Sequence, residues 1–255
     1  MKIAFTGKGG AGKTTIAAAL ILYLSRQGKK ALAVDADPDP NLAGALGFPD
    51  ADKIMPISKM KNLIFERMEI SETSRTFYKL NPEIDDIPDK FSRAQGNIKL
   101  IVMGTVEKGG SGCACPESEF LKALLKKLVV SAEDWVVLDM EAGIEHLGRK
   151  TAQTVDAMVT VVEPSMRSIE TARRIKPLAA DIGIKRIVAV GNKINDKSDE
   201  EFIRKNLEGV DLLSTFDFSA GILRQDKSVK QNLLDDENIL NGAKALFEKL
   251  RSFSG

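Results

Sequence analysis

Cysteine, histidine and aromatic residues are scarce in this 255-residue chain: two Cys, one His, one Trp and two Tyr, with aromatics at 5%. Two cysteines cannot build a disulfide scaffold, and one chain cannot offer four thiolates to a zinc ion. A single histidine excludes a polyhistidine metal site within one chain. Neither sign of charge is in excess, since 37 Lys and Arg stand against 36 Asp and Glu for a net +1. A protein that coats nucleic acid carries a basic surplus, and a disordered charged tail carries a surplus of its own sign. Long apolar runs are missing too. The longest, Ile16–Leu24, has nine residues, under half of the roughly 20 that cross a bilayer. The stretch Met1–Gly7 has no apolar core of a signal peptide. The expectation is a soluble, cytoplasmic protein with an aliphatic core, because 43% of residues are hydrophobic and few of those are aromatic.

Lys2–Phe5 reads as a short buried strand running into a glycine cluster. Thr14–Gln27 reads as a helix stopped by Gly28, and Lys30–Asp35 as a second strand. Together they make a βαβ unit, with the second strand expected beside the first. Asp37-Pro38-Asp39-Pro40 is a forced loop. Within 48–97, the least regular stretch, Ile57, Met60, Ile64 and Met68 recur at helical spacing and predict an amphipathic helix over 58–69. Asn81–Asp89, with two prolines and four carboxylates, reads as a surface loop. Further strands are expected at Ile98–Met103, Trp135–Met140, Met158–Glu163, Ile187–Gly191 and Leu212–Phe216. Helices are expected at 117–130, opened by Pro116, and at 165–181, 200–207 and 236–252. This alternation predicts the α/β class: a single doubly wound, mostly parallel sheet with helices on both faces. One domain over 1–255 is expected, with 48–97 and 105–130 as inserted elements.

Gly7-Lys8-Gly9-Gly10-Ala11-Gly12-Lys13-Thr14 fits G-x-x-x-x-G-K-[ST] at every position, after a strand and before a helix. Backbone N–H groups freed by the glycines can close around a phosphate, aided by the helix N-terminus. The ligand expected is ATP or ADP with Mg²⁺. Lys13 would reach the β- and γ-phosphates, the Thr14 hydroxyl would bind the metal, and Thr15 would donate to the α-phosphate. Phosphoryl transfer also needs carboxylates. Asp139 ends an apolar strand, where it could hold Mg²⁺ through water. Asp35 and Asp37 follow the second strand, and both are expected to face the phosphates; a helix-capping or loop carboxylate is the other reading of Asp35. Asn192, in Gly191-Asn192-Lys193, has an amide able to donate to and accept from an adenine edge, or is a plain turn residue. Thr215–Phe218 is positioned to cover the other side of the base.

Cys113-Ala114-Cys115 follows Gly109-Gly110-Ser111-Gly112 and precedes Pro116. Cysteines at i and i+2 can point the same way in an extended segment, and a two-fold pair of chains would bring four thiolates together on its axis. Cys115 at a helix N-terminus favours the thiolate. A buried structural pair, a strained redox pair and a bridging iron–sulfur cluster remain open, and spacing alone does not separate a metal ion from a cluster.

Lys8 is a second lysine that an ordinary phosphate loop does not need. With it, the loop resembles the deviant-loop ATPases: nitrogenase iron protein, the septum-positioning ATPase MinD, partition ATPases and the arsenite-pump ATPase. The resemblance implies a nucleotide-gated homodimer in which Lys8 acts in trans as a catalytic residue beside Lys13. It also implies that Asp37 lies in a first switch and orients the attacking water or the metal's water shell, that Asn41 meets the partner subunit or the γ-phosphate, and that Asp139 opens a second switch reaching Glu145. More narrowly, Lys8–Thr15, Gly109–Pro116, Asp139–Gly148 and Val190–Lys193 together resemble the nickel-insertion accessory ATPases of carbon monoxide dehydrogenase. That resemblance implies Ni²⁺ or Zn²⁺ shared between subunits by Cys113 and Cys115, with ATP turnover coupled to nickel insertion. Carbon monoxide dehydrogenase would be the client, with the related acetyl-CoA synthase pathway open, and neither nucleic acid nor membrane a partner. His146 is read as a transient nickel ligand or a solvated helix residue, and Glu141 and Glu145 as relays of γ-phosphate status or surface carboxylates. Two rival readings stand beside this one. The first is an Mrp-type iron–sulfur carrier, although that group spaces its cysteines by two residues. The second is a MinD-like positioning ATPase with a membrane-surface helix at Ile239–Phe253, a pattern that packing on the sheet explains equally.

Overall fold

The short aliphatic runs of the sequence are the strands of one sheet. The structure is a computed structural model, and it describes residues 1–70, 78–79, 81–105, 116–132, 135–141, 147, 149–219 and 232–254. Strands β1 (Lys2–Gly7), β2 (Ala31–Ala36), β3 (Arg93–Gln95), β4 (Ile98–Val102), β5 (Trp135–Met140), β6 (Ala157–Val162), β7 (Ile187–Ile194) and β8 (Asp211–Asp217) lie in the order β3-β4-β2-β5-β1-β6-β7-β8. All pairings are parallel except the edge hairpin β3–β4. The doubly wound α/β expectation is therefore met.

The expected neighbour of β1 is corrected. β1 and β2 are parallel but not neighbours, because β5 lies between them. Asp139 of β5 stands in register with Phe5 on one side and Asp35 on the other. A βαβ crossover fixes direction and handedness but leaves open which later strand fills the gap. Val136, Val137 and Leu138 are wholly buried, and a run apolar on both faces belongs in the middle of a sheet.

Successive strand residues face opposite cores. On one side, Ile3, Phe5, Val137 and Val159 pack against Ile16, Leu20 and Leu24 of α1 (Lys13–Arg26). The same core takes Ile239, Leu246, Phe247 and Leu250 of the last helix, Glu237–Arg251. Phe247 also meets the rings of Tyr23 and Trp135 at centroid distances of 5.5 and 5.6 Å. On the other side, Ala4, Val136, Leu138 and Met158 meet Ile64, Phe120, Leu124, Leu128, Ile175 and Ala179. Each fully buried aliphatic side chain contributes roughly 1.5–3 kcal/mol. The apolar stripe of the last helix is thus spent on the sheet. No helix among the described residues is long and apolar enough to cross a membrane.

The remaining helices among the described residues are α2 (Leu42–Ala45), α3 (Lys61–Arg67), α4 (Ile87–Phe91), α5 (Pro116–Ser131), α6 (Arg149–Ala152), α7 (Met166–Asp181) and α8 (Lys197–Asn206), and Glu237–Arg251 is α9. The expected helix over 58–69 is broken. A 3-10 turn at Ile57–Lys59 precedes α3, and Met60 between them leaves helical geometry at ψ 64°. Ser58 N–H donates to the carbonyl of Met103 at 2.9 Å, which ties this turn to the sheet. The 81–89 stretch is not wholly surface loop either: Ile84 and Ile87 are buried, and α4 begins there. β7 runs past Gly191 to Ile194, which places Asn192 and Lys193 within a strand.

Candidate functional site

β1 delivers the phosphate loop to the carboxyl edge of the sheet, next to β5 and β6 and two strands from β7. Two glycines are forced there. At Gly7, φ is 142° and a Cβ would lie 2.5 Å from the Val161 carbonyl oxygen; at Gly12, φ is 93° and a Cβ would lie 2.1 Å from Asn192 Nδ2. α1 begins at Gly12 with no side-chain cap, whereas Ser165, Asp196 and Asp236 cap α7, α8 and α9. Its first-turn N–H groups are therefore left for an anion. The loop is preshaped from β7. Asn192 Nδ2 donates to the Ala11 carbonyl and Lys193 Nζ to the Gly10 carbonyl, each at 2.7 Å, and Ala11 N–H closes onto Lys8 O at 3.1 Å. One N–H of the Asn192 amide is thus spent on the loop, which leaves its Oδ1 and its second N–H to meet a base.

The carboxylates divide into two kinds. Asp139 Oδ2 accepts from Thr14 Oγ1 at 2.6 Å, while its buried Oδ1 has no hydrogen-bond partner among the described residues. Burial pushes the Asp139 carboxyl up to about 6, against the pull of the Thr14 hydrogen bond and the Lys13 charge. A buried orphan carboxylate oxygen beside a threonine hydroxyl is a donor set that suits Mg²⁺, and the buried Lys13 ammonium close by suits phosphate. Asp35 behaves differently and corrects its expectation. It is buried, and both its oxygens accept backbone N–H groups, Oδ1 from Asp37 at 3.2 Å and Oδ2 from Leu42 at 2.9 Å. It caps and shapes the loop that follows β2 rather than facing phosphate. Burial pushes its carboxyl up to about 7, opposed by the Leu42 hydrogen bond and assisted by the Asp139 charge. Asp37 is half-buried at the mouth of that loop and accepts from Asp39 N–H at 3.0 Å. Asn41 is exposed and donates to the Asp39 carbonyl.

Lys8 is not the free solvated lysine of an open loop. Its Nζ lies 2.7 Å from Glu163 Oε1. Glu163 also takes Lys193 Nζ at 3.2 Å. Burial weighs most against its charge, but hydrogen bonds from Lys8 and Lys193 together hold it below the usual carboxylate range. Neither Glu163 nor Lys193 stands out as a site residue in the sequence. Their one signal is position, each at the carboxyl end of a strand beside β1 or β6. Thr6 is a third such residue, with its Oγ1 donating to the Glu141 carbonyl at 3.1 Å just past the end of β5. Phe216 does not reach a base. It is wholly buried against α9, whereas Phe218 is exposed. Cys113, Cys115, Gly109–Gly112, Glu145 and His146 lie outside the described residues.

Known proteins resemble this chain over most of its length. The chain is 46% identical over 230 residues to the carbon monoxide dehydrogenase accessory protein CooC of Rhodospirillum rubrum, covering 89% of this chain and 88% of that one. It is 43% identical over 241 residues to an ATP-binding protein of Methanocaldococcus jannaschii, covering 93% of each. The fold superposes on the Aquifex aeolicus MinC:MinD cell division complex with a TM-score of 0.69 at 18% identity, over 98% of this chain and 96% of that one. It superposes on MinD with Mg-ADP from Pyrococcus horikoshii with a TM-score of 0.66 at 17% identity, over 100% and 98%. The model of the CobQ/CobB/MinD/ParA nucleotide binding domain matches residues 2–239. The chain therefore belongs to the CobQ/CobB/MinD/ParA nucleotide-binding family, as an ATP-binding ATPase.

Proposed function

We propose that this ATPase is a cytoplasmic maturation factor that delivers Ni²⁺ to carbon monoxide dehydrogenase. It would work as a homodimer holding the metal between two copies of Cys113 and Cys115, with Zn²⁺ as the competing occupant. Soft thiolates bind both ions, so selectivity would come from geometry and supply rather than affinity. The similarity to CooC supports the client.

The observation that carries the coupling is where the cysteine segment is rooted. Met103 N–H and Gly104 N–H both donate to the Asp35 carbonyl, at 2.8 and 3.1 Å. The Asp35 side chain in turn shapes the Asp37–Leu42 loop. The chain thus enters the cysteine segment from the backbone that carries the first switch, and leaves it at Pro116, the start of α5. A nucleotide-driven change at Asp37 would reach Gly104, where the chain sets out toward the cysteines, through two hydrogen bonds.

At the nucleotide itself, Lys13 and the first turn of α1 would bear the β- and γ-phosphate charge, and Thr15 would donate to the α-phosphate. The Gly7, Gly9, Gly10 and Gly12 backbone would give close approach, and Asn192 Oδ1 would accept from the adenine amine. Asp37 would orient the attacking water. Thr14 and Asp139 would hold Mg²⁺, which supplies charge neutralisation when bound. Lys8 would act on the nucleotide of the partner copy.

Metal content and mass should be measured together on purified protein without nucleotide, with ADP and with ATP, for wild type and the Cys113→Ala/Cys115→Ala variant. About half an equivalent of Ni²⁺ or Zn²⁺ per chain, in a dimer and lost with the cysteines, is the expected result for one shared four-thiolate site. Iron with sulfide would replace this reading by the Mrp-type carrier. An intact nucleotide-dependent dimer without metal would make the cysteines structural.

A further inference from the structure

Two lysines from segments far apart in the chain converge on one carboxylate at the edge of the phosphate loop, and the three groups are not equally held. Lys193 bonds both Glu163 and the Gly10 carbonyl. Its backbone is in the left-handed region at φ 60°, so its place is set by β7 and the loop together. Glu163 is fixed through its own backbone: its N–H donates to Ser168 Oγ at 3.1 Å, Pro164 follows it, and Ser165 caps α7. Lys8 is the free-swinging member. Among the described residues its ammonium has no hydrogen-bond partner except Glu163, whereas Lys193, the more exposed of the two lysines, has two. A four-carbon stem bearing a compact ammonium can leave without disturbing the loop backbone.

We propose that Glu163 is a latch on Lys8. It keeps the ammonium on its own subunit in the nucleotide-free chain, and the polyphosphate of a nucleoside triphosphate bound by a second copy must take the ammonium from it. The inference rests on the reading that Lys8 acts across a dimer. Lys193 is what makes such a latch releasable. Removing one partner from a largely buried carboxylate normally leaves an uncompensated charge. Here Lys193 stays behind on Oε2, so the carboxylate remains paired after Lys8 departs. A triphosphate carries more negative charge than one carboxylate already shared by two lysines, so the exchange runs toward the nucleotide once two copies meet. Glu163 thereby sets how much nucleotide and how much protein are needed before the pair closes.

The test is sedimentation of the full chain over a range of concentrations, with Mg²⁺ and a slowly hydrolysed ATP analogue. It compares wild type, Glu163→Gln, Glu163→Asp, Lys8→Ala and the Glu163→Gln/Lys8→Ala double variant. Glutamine keeps the shape and an acceptor oxygen but removes the charge. A half-exposed ion pair is worth only a few-fold, and each dimer breaks two, so Glu163→Gln should dimerise at about tenfold lower protein concentration. Its nucleotide affinity as a monomer should change less than about twofold. The shorter arm of Glu163→Asp should give an intermediate value, and the double variant should behave as Lys8→Ala does. A Glu163→Gln protein that dimerises no better than wild type, or binds nucleotide more weakly as a monomer, makes Glu163 a mere support of the loop and overturns the latch. If Glu163→Gln loses its thermal midpoint, the same comparison is read on Glu163→Asp. A Lys8→Ala variant that dimerises and hydrolyses like wild type removes the across-dimer role of Lys8 itself, whatever Glu163 does.

Discussion

A methyl group on Gly12 would have to share space with the Asn192 amide, and the left-handed backbone there already disfavours any Cβ. Gly12→Ala is expected to weaken nucleotide binding at least about tenfold with a near-normal folded far-UV signal. Titration with a fluorescent nucleotide reads this directly, and wild-type affinity would show that β7 can retreat. The acidic pair makes a second prediction at this scale. Asp35 and Asp139 hold their protons up to about 7 and about 6, against an ordinary 3.8. The folded state therefore binds these protons more tightly than the unfolded chain does. That stabilisation is complete below the ordinary value and is lost as pH rises through the two folded values. In chelator without nucleotide, the thermal midpoint should fall between about pH 5 and pH 8, with each group contributing at most about 1.4 kcal/mol per pH unit. Asp35→Asn should flatten part of that fall, and a midpoint that rises over the same range would contradict the assignment. What the sequence showed at this scale was the spacing-encoded chemistry. Lys13, Thr14 and Asp139 come together as expected because a strand, a glycine turn and a helix leave them little choice. Glu163 and Lys193 were illegible because neither belongs to a motif. They meet Lys8 only after β6 and β7 have lined up, and no local pattern records that.

Among the elements, α9 carries a glycine in the middle of its packed face. A Cβ on Gly242 would lie 2.6 to 2.8 Å from three ring atoms of Phe216. The ring is wholly enclosed and cannot swing away. Gly242→Ala should therefore cost about 1–3 kcal/mol by overpacking, in spite of the better helix propensity of alanine. The urea midpoint is the measurement, and Phe216→Leu in the same background should recover part of the loss. A neutral or stabilising outcome would mean that α9 is free to shift on the sheet. Periodicity proved a good guide to burial and a poor one to continuity. Ile57, Ile64 and Met68 are all buried as the helical spacing required, yet the helix breaks at Met60. The break is set by a backbone bond from Ser58 to Met103, which lies beyond the reach of any sequence window. The same holds for β2, whose neighbour is chosen by a strand about a hundred residues later.

For the whole molecule, the proposed metal and nucleotide sites are bound by reciprocity. If ATP alters Ni²⁺ affinity by some factor, Ni²⁺ must alter ATP affinity by the same factor. Nucleotide titrations with and without Ni²⁺ should therefore differ by the factor found in Ni²⁺ titrations with and without nucleotide. The Cys113→Ala/Cys115→Ala variant should bind nucleotide normally while showing no difference, and equal titrations in wild type would mean that the two sites do not communicate. The position of β5 has a further consequence, for biosynthesis. β1 and β2 leave the ribosome about 130 and about 100 residues before the strand that must lie between them. Until Trp135–Met140 emerges, the nascent sheet holds two facing edges with unpaired amides, an invitation to wrong pairing. It also lacks Asp139, the hydrogen-bond acceptor of Thr14 in the finished loop. The strand that brings Asp139 to Thr14 is also the keystone of the sheet, so the nascent chain gains that carboxylate and its central order in one late step.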